Sequence, residues 1–152
     1  MYPLCESSAL QYHFNLKTLL VIAGITLRNF YFRLYRGAIR APQIVAFLKY
    51  LLRHIPGKLP LVWDRLPAHR SRMVQEFVAT QNERIHTRYL HAYAPGLNPT
   101  EYIRGHFKHH LLPNACPKDF AELQQGVRHA LQNIRRRTLI TAFWTQASLW
   151  AD

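Results

Sequence analysis

The apolar run Leu19-Leu20-Val21-Ile22-Ala23 is the feature that most constrains what this chain can fold into. A half-solvated strand alternates apolar with polar residues, whereas an unbroken apolar run of this length makes a strand covered on both faces. The wider stretch from Leu19 to Leu27 is far too short to span a membrane, which takes roughly 20 residues. It does not read as a secretion signal either. No positive residue precedes it until Lys17, and no small-x-small cleavage site follows.

Phe30-Tyr31-Phe32-Arg33-Leu34-Tyr35 is a second, aromatic-rich strand closed by Gly37, and the short gap before it predicts an antiparallel hairpin. Pro42 opens a helix, where its missing N–H costs nothing, and Ile44, Leu48, Leu51 and Ile55 recur at helical spacing. Pro56-Gly57 ends it. Leu59-Pro60-Leu61-Val62-Trp63 is a short buried strand with Asp64 at its C-terminal end. A helix from Ser71 to Gln81 turns Val74, Phe77 and Val78 inward. The next strand, Ile85 to Tyr93, is anchored by Ile85 and the Tyr89-Leu90 pair. Ala94 to Pro99 is a loop by its turn residues. Thr100 to Leu112 is helical, Pro113-Asn114 breaks it, and one long last helix begins at about Pro117. That helix carries Phe120, Leu123, Val127, Ala130 and Ile134 at alternating steps of three and four, with Arg135-Arg136-Arg137 near its middle or end.

The order β-β-α-β-α-β-α-α is an α/β arrangement. At 152 residues the chain makes one domain with a real core. Residues 1–15 show no clear period and read as an irregular N-terminal segment, followed by a single domain over 16–152. No internal repeat or low-complexity tract divides it.

Charge narrows the partner. Twenty Lys and Arg face eight Asp and Glu, a formal net charge of +12, and fifteen of the twenty are Arg. The planar guanidinium fork suits phosphate oxygens, so a basic globular chain of this kind points to a polyanion, above all nucleic acid. A membrane surface is disfavoured, because no basic helix here has a clean apolar face. Cys5 and Cys116 give neither a disulfide framework nor paired metal spacing, which fits a reducing, cytoplasmic setting.

Two carboxylates stand out by placement. Asp64 ends a buried strand, and in open α/β sheets functional groups gather beyond the carboxyl ends of strands. Glu101 starts a helix after a Pro/Gly/Asn loop, and the strand–helix–strand–loop path from Asp64 can bring it back to the same sheet edge. Each has a plainer reading. Asp64 can serve only as a turn residue. Glu101 falls three residues after Asn98, with Pro99 between, which is the pattern of a capping box. His69 suits a base, a phosphate contact, or a histidine bonded to nearby backbone. His106, His109, His110 and Cys116 lack the spacing of a tetrahedral zinc set and fit a solvated basic face with Arg104 and Lys108.

A resemblance sharpens the reading. Val62-Trp63-Asp64-Arg65-Leu66-Pro67-Ala68-His69-Arg70-Ser71 resembles the block around the second catalytic aspartate of DDE transposases of the mariner-like superfamily, including bacterial insertion-sequence members. There the aspartate ends a strand and a histidine follows five residues later. Tyr93-Ala94-Pro95-Gly96-Leu97-Asn98-Pro99-Thr100-Glu101 resembles the third block, which closes on the glutamate of the catalytic triad. The likeness runs from about Leu16 to the C-terminus.

The resemblance implies an RNase-H-like mixed sheet flanked by helices. It implies Asp64 and Glu101 as catalytic ligands of Mg²⁺ or Mn²⁺, and DNA, both transposon ends and target, as partner. His69, Arg70, Arg104, Lys108, Arg135, Arg136 and Arg137 are candidate DNA contacts. Two departures stand against the family pattern. Arg65 replaces the usual Asn after the aspartate, which either weakens metal binding or meets a phosphate. No aspartate block precedes Leu16, where Glu6 is the lone acid. The expectation is therefore a sheet lacking its first strand and a fragment inactive alone. Its missing part would be lost to decay or a frameshift, or supplied by an upstream-encoded transposase segment or a homodimer. The alternative is a non-catalytic basic DNA-binding remnant or a partner subunit of a split transposase.

Overall fold

The computed structural model describes residues 5–14, 17–90, 99–106 and 118–146. Five strands form one sheet: β1 (Cys5–Phe14), β2 (Lys17–Ile25), β3 (Phe30–Arg36), β4 (Leu59–Trp63) and β5 (Ile85–Tyr89). Their order across the sheet is β3-β2-β1-β4-β5. β1, β2 and β3 pair antiparallel, while β4 runs parallel to both β1 and β5. The helices are α1 (Ala41–His54), α2 (Arg72–Thr80), α3 (Pro99–His106), α4 (Phe120–Ile134) and α5 (Arg137–Gln146), with a 3₁₀ turn over Pro67–Arg70.

The first strand is therefore present, and the expectation of a sheet without it is corrected. Residues 5–14, read from sequence as irregular, form the central strand, bonded to β2 on one side and β4 on the other. Leu10-Gln11-Tyr12-His13-Phe14 alternates apolar with polar over only five residues, while Glu6, Ser7 and Ser8 break any pattern before it. Pairing with two neighbours, rather than intrinsic preference, makes it one.

The unbroken apolar run behaves as its chemistry requires. In β2, Leu19, Val21, Ala23 and Ile25 join one core with Phe30, Phe32, Ile103, Val127, Leu131, Ile134 and Ile140, beneath α3, α4 and α5. Ile22 joins the opposite core with Phe47, Leu48, Leu51, Leu59, Leu61, Trp63, Val74 and Ile85, beneath α1 and α2. The period of two sorts one strand between two cores. Truncating a fully buried member such as Leu51 is worth about 2–5 kcal/mol.

Helix ends follow local chemistry. Arg40 N donates to Gln43 Oε1 at 3.0 Å ahead of Pro42 in α1. Gly57, at φ +78°, takes the left-handed turn after that helix. Arg84 binds the end of α1 to β5, donating to the carbonyls of Leu52 (3.2 Å), Ile55 (2.8 Å) and Gly57 (3.1 Å). Ser71 Oγ accepts from Val74 N to start α2. The single long C-terminal helix expected from sequence is two helices. α4 starts at Phe120, capped by Asp119, whose Oδ1 accepts from Glu122 N at 2.8 Å. It ends at Arg135, which is drawn toward the sheet, and α5 begins two residues later.

Candidate active site

Asp64 follows the last residue of β4, a strand held between two parallel neighbours. Leu59, Leu61 and Trp63 are buried, and Leu90 N donates to Trp63 O at 2.9 Å, which carries the ladder to the sheet's edge. The strand thus delivers Asp64 to the rim at the carboxyl ends of β4 and β5. Its side chain is 35% exposed.

The turn after it fixes the carboxylate. Asp64 Oδ1 accepts from Leu66 N at 3.2 Å, the local turn bond that aspartate favours. The same oxygen lies 2.9 Å from His69 Nδ1, which is also 3.3 Å from the Asp64 carbonyl oxygen. Both groups facing Nδ1 are acceptors, so Nδ1 carries the hydrogen and donates. The His69 ring is 3% exposed and stacks on Trp63, with centroids 4.6 Å apart and planes 9° apart. Pro67 opens the 3₁₀ turn that carries the ring inward. Asp64 is thus the turn residue of the plainer reading, yet the turn engages only Oδ1. Among the described residues no partner takes Oδ2.

Beside this stack lies a cavity of about 320 Å³ lined by Trp63, His69, Val74, Val78, Thr87 and Tyr89 among others. No local pattern marks it, because its walls come from β4, the 3₁₀ turn, α2 and β5 together.

Glu101 lies in the first turn of α3. That helix is anchored by Ile103, 1% exposed, in the core beneath the sheet, and it packs against β1, β2 and α5. The loop before Pro99, with the capping residue Asn98, lies outside the described residues, as do Lys108, His109, His110 and Cys116. Among the described residues no three His, Cys, Asp or Glu side chains converge as a metal-holding group. Of the two expected ligands, only Asp64 has a described side chain.

The candidate DNA contacts separate into two kinds. Arg65 and Arg70 are exposed beside Asp64, and Arg136 is exposed next to a cavity of about 300 Å³ that it lines with His106, Asn133 and Thr138. Arg104 lies in α3 and Arg137 opens α5. Two of the candidates have partners within the fold. His69 is buried against Trp63, and its partner is Asp64. Arg135 donates through Nε to Phe30 O at 3.1 Å and lies over the Phe32 ring at 5.4 Å, so it ties α4 to β3. Among the described residues no helix is long and apolar enough to cross a membrane.

A family model described as DDE superfamily endonuclease matches residues 9–124. No curated protein matches the chain. Among solved structures, the catalytic domain of Mos1 mariner transposase aligns at TM-score 0.73 and 16% identity, over 95% of this chain and 75% of that one. The Mos1 mariner paired end complex with Mn aligns at TM-score 0.75 and 15% identity, over 97% of this chain and 53% of that one. This chain therefore spans about half of that longer protein. The HTLV-2 integrase catalytic core domain in complex with magnesium aligns at TM-score 0.59 and 18% identity, over 93% of this chain and 98% of that one. At such identities the likeness shows the fold, an RNase-H-like sheet shared with transposase and integrase catalytic domains.

Proposed function

The chain belongs to the DDE superfamily endonucleases, and from that membership we propose that it is a transposase domain that cuts and joins DNA at a divalent-metal site held by Asp64 and Glu101. The observation that carries this reading is the Asp64 carboxylate, delivered to the sheet's rim and fixed through Oδ1, with no partner for Oδ2 among the described residues. The donor chemistry fits. Mg²⁺ and Mn²⁺ are hard cations that take oxygen ligands, and carboxylates supply both the oxygens and the charge. The relatives described with Mn and magnesium support the same choice. When bound, the metal supplies Lewis-acid activation of the attacking hydroxyl and stabilisation of the leaving oxygen.

The chain's own residues do the rest. His69 fixes the orientation of Asp64 by donating to Oδ1, as outer hydrogen bonds commonly orient metal-binding groups. Trp63 holds His69 by stacking. Arg65 and Arg70, exposed beside Asp64, are placed to meet phosphate oxygens and fix the strand's register without reading bases. The substrate class is therefore duplex DNA held mainly by its backbone, with transposon ends and target DNA as the partners in view.

A second reading is kept alive by one observation: β1 contains no aspartate, and Arg65 sets a cation beside Asp64. On that reading the domain binds DNA, or a transposase partner segment or second copy, without cutting. A nicking assay on supercoiled plasmid with Mg²⁺ or Mn²⁺ separates the two. Nicking that Asp64→Ala and Glu101→Ala both abolish, with DNA binding retained, supports the enzyme. Binding with no metal-dependent nicking by the unmodified chain supports the non-catalytic module.

A further inference from the structure

We propose that the cavity beside the Trp63–His69 stack binds a small neutral aromatic alcohol, a molecule of the phenol class. Two ring nitrogens carry the inference. Trp63 and His69, 2% and 3% exposed, both line the cavity. The Trp63 indole Nε1 is buried and has no hydrogen-bond partner among the described residues. A buried donor in that state is costly, so an acceptor is the group it lacks. His69 has the opposite character. Its Nδ1 gives its hydrogen to Asp64, which leaves Nε2 of the neutral ring as a lone-pair acceptor. The described residues offer Nε2 no donor. A donor and an acceptor on two stacked rings suit a hydroxyl group, which accepts from one and donates to the other.

The rest of the wall selects the body that carries this hydroxyl. Val74 and Val78 of α2 are apolar, and Tyr89 at the end of β5 faces Trp63 with centroids 6.2 Å apart and planes tilted by 30°. Aromatic and branched aliphatic walls favour a flat apolar ring. Gln75 and Thr87 are polar but uncharged, and none of the described residues lining the cavity is Lys, Arg, Asp or Glu. In a chain of net charge +12, an anion such as a nucleotide therefore finds no counter-charge here and has better places to bind. Gln75 and Tyr89 are exposed, which gives a route in from solvent. A volume of about 320 Å³ lies at the small end of ligand sites and suits a molecule of one or two rings. The occupant also meets the histidine that orients Asp64, so it sits one side chain away from that carboxylate.

Phenol is the probe, with toluene as its hydroxyl-free counterpart. The chain has three tryptophans, Trp63, Trp144 and Trp150, so its ¹⁵N spectrum carries three indole N–H signals, and Trp63→Phe identifies the one from Trp63. Titrating the unmodified chain with phenol should move that signal saturably, with an affinity of roughly millimolar or tighter for so small a ligand. Toluene should bind at least about tenfold more weakly, because it leaves both ring nitrogens unpaired. His69→Phe keeps a ring against Trp63, removes Nε2 and should bring phenol down to the toluene level. Val78→Phe fills the cavity and should weaken phenol by about tenfold or more, with the unfolding transition showing that the variant is folded. The absence of a saturable shift at Trp63 overturns the proposal. So does an equal shift at all three indoles, which is nonspecific partition. Toluene binding as well as phenol, or a folded Val78→Phe or His69→Phe chain binding phenol like the parent, rejects it as well.

Discussion

His69 donates from Nδ1 to Asp64 Oδ1 across 2.9 Å, so a buried histidine holds a partly exposed carboxylate at the rim of the sheet. The histidine cannot move without leaving Trp63, whose ring it stacks on. Packing at the base of the turn is thereby converted into orientation at its tip.

Substitutions at His69 should separate those two roles. His69→Phe keeps a flat ring against Trp63 and removes the donor. Its Mn²⁺ affinity and nicking rate should fall by about 10- to 100-fold with little loss of stability. His69→Ala removes the ring as well and should cost a further 2 kcal/mol or so in urea unfolding, as core truncations do. If His69→Phe binds Mn²⁺ like the parent, the histidine is packing alone.

Arg84 should matter for stability and not for DNA. Its guanidinium satisfies three carbonyls at the end of α1, and hydrogen bonds from a charged donor are worth about 1.5–3 kcal/mol each where desolvated. The site is only partly buried, so Arg84→Ala should lose about 2–3 kcal/mol in total. Arg84→Lys should recover only part of it, because an ammonium cannot span the same fork. The check is urea unfolding beside a DNA-binding curve, with only the first expected to move.

The basic residues around α4 and α5 give a matched pair. Both arginines are exposed, but Arg135 is tied to Phe30 O and the Phe32 ring, whereas Arg136 lines the neighbouring cavity. Arg136→Ala should weaken duplex binding and flatten its salt dependence by about 0.9 in the log–log slope for each lost phosphate contact. Arg135→Ala should lower stability and leave that slope alone. The reverse result would place the DNA surface elsewhere.

Tyr35 offers a pH test of the α1 side of β3. Burial pushes its hydroxyl above the ordinary tyrosine value, with the Arg33 guanidinium pulling the other way. The folded state therefore favours the protonated phenol. The associated stability is complete below the unfolded value of about 10 and is lost as pH rises through the folded value. Tyr35→Phe should lessen the fall in stability above that pH, read from unfolding midpoints across an alkaline series.

Much of this architecture is legible in the chain. The β4 strand from Leu59 to Trp63 has the boundaries its composition predicts, and the Asp64-to-His69 spacing marks the turn that the fold builds. The two cores follow from the run at Leu19 and the helical periods after Pro42 and Phe120. The failures have a common physical origin in long-range contacts. Nothing local to Arg135 says that it will reach Phe30, 105 positions away, and end a helix there. The cavity beside Trp63 is made by four elements, none of which encodes it. β1 is the largest case, since only Leu10 to Phe14 alternates and the stretch from Cys5 to Ala9 becomes strand only between β2 and β4.

That dependence makes β1 the place where a single backbone change should be most damaging. Ala9 sits within the stretch where β1 is bonded to β2, its register partner being Ile22. Proline there removes a backbone donor and fixes φ at about −65°, away from the extended values of a strand. Because β1 is central, the damage reaches the β2–β3 hairpin on one side and the parallel β4–β5 pair on the other. Proline in the middle of a sheet is rarely tolerated, and a penalty of about 3 kcal/mol or more is a large share of the 5–15 kcal/mol that holds a typical domain. Ala9→Pro should therefore give an insoluble or non-cooperatively unfolding chain. Glu83→Ala, an exposed change outside the strands, serves as the control and should leave the transition within about 0.5 kcal/mol of the parent. An Ala9→Pro chain that stays soluble and unfolds at the parent midpoint would mean that residues 5–14 are dispensable to the sheet.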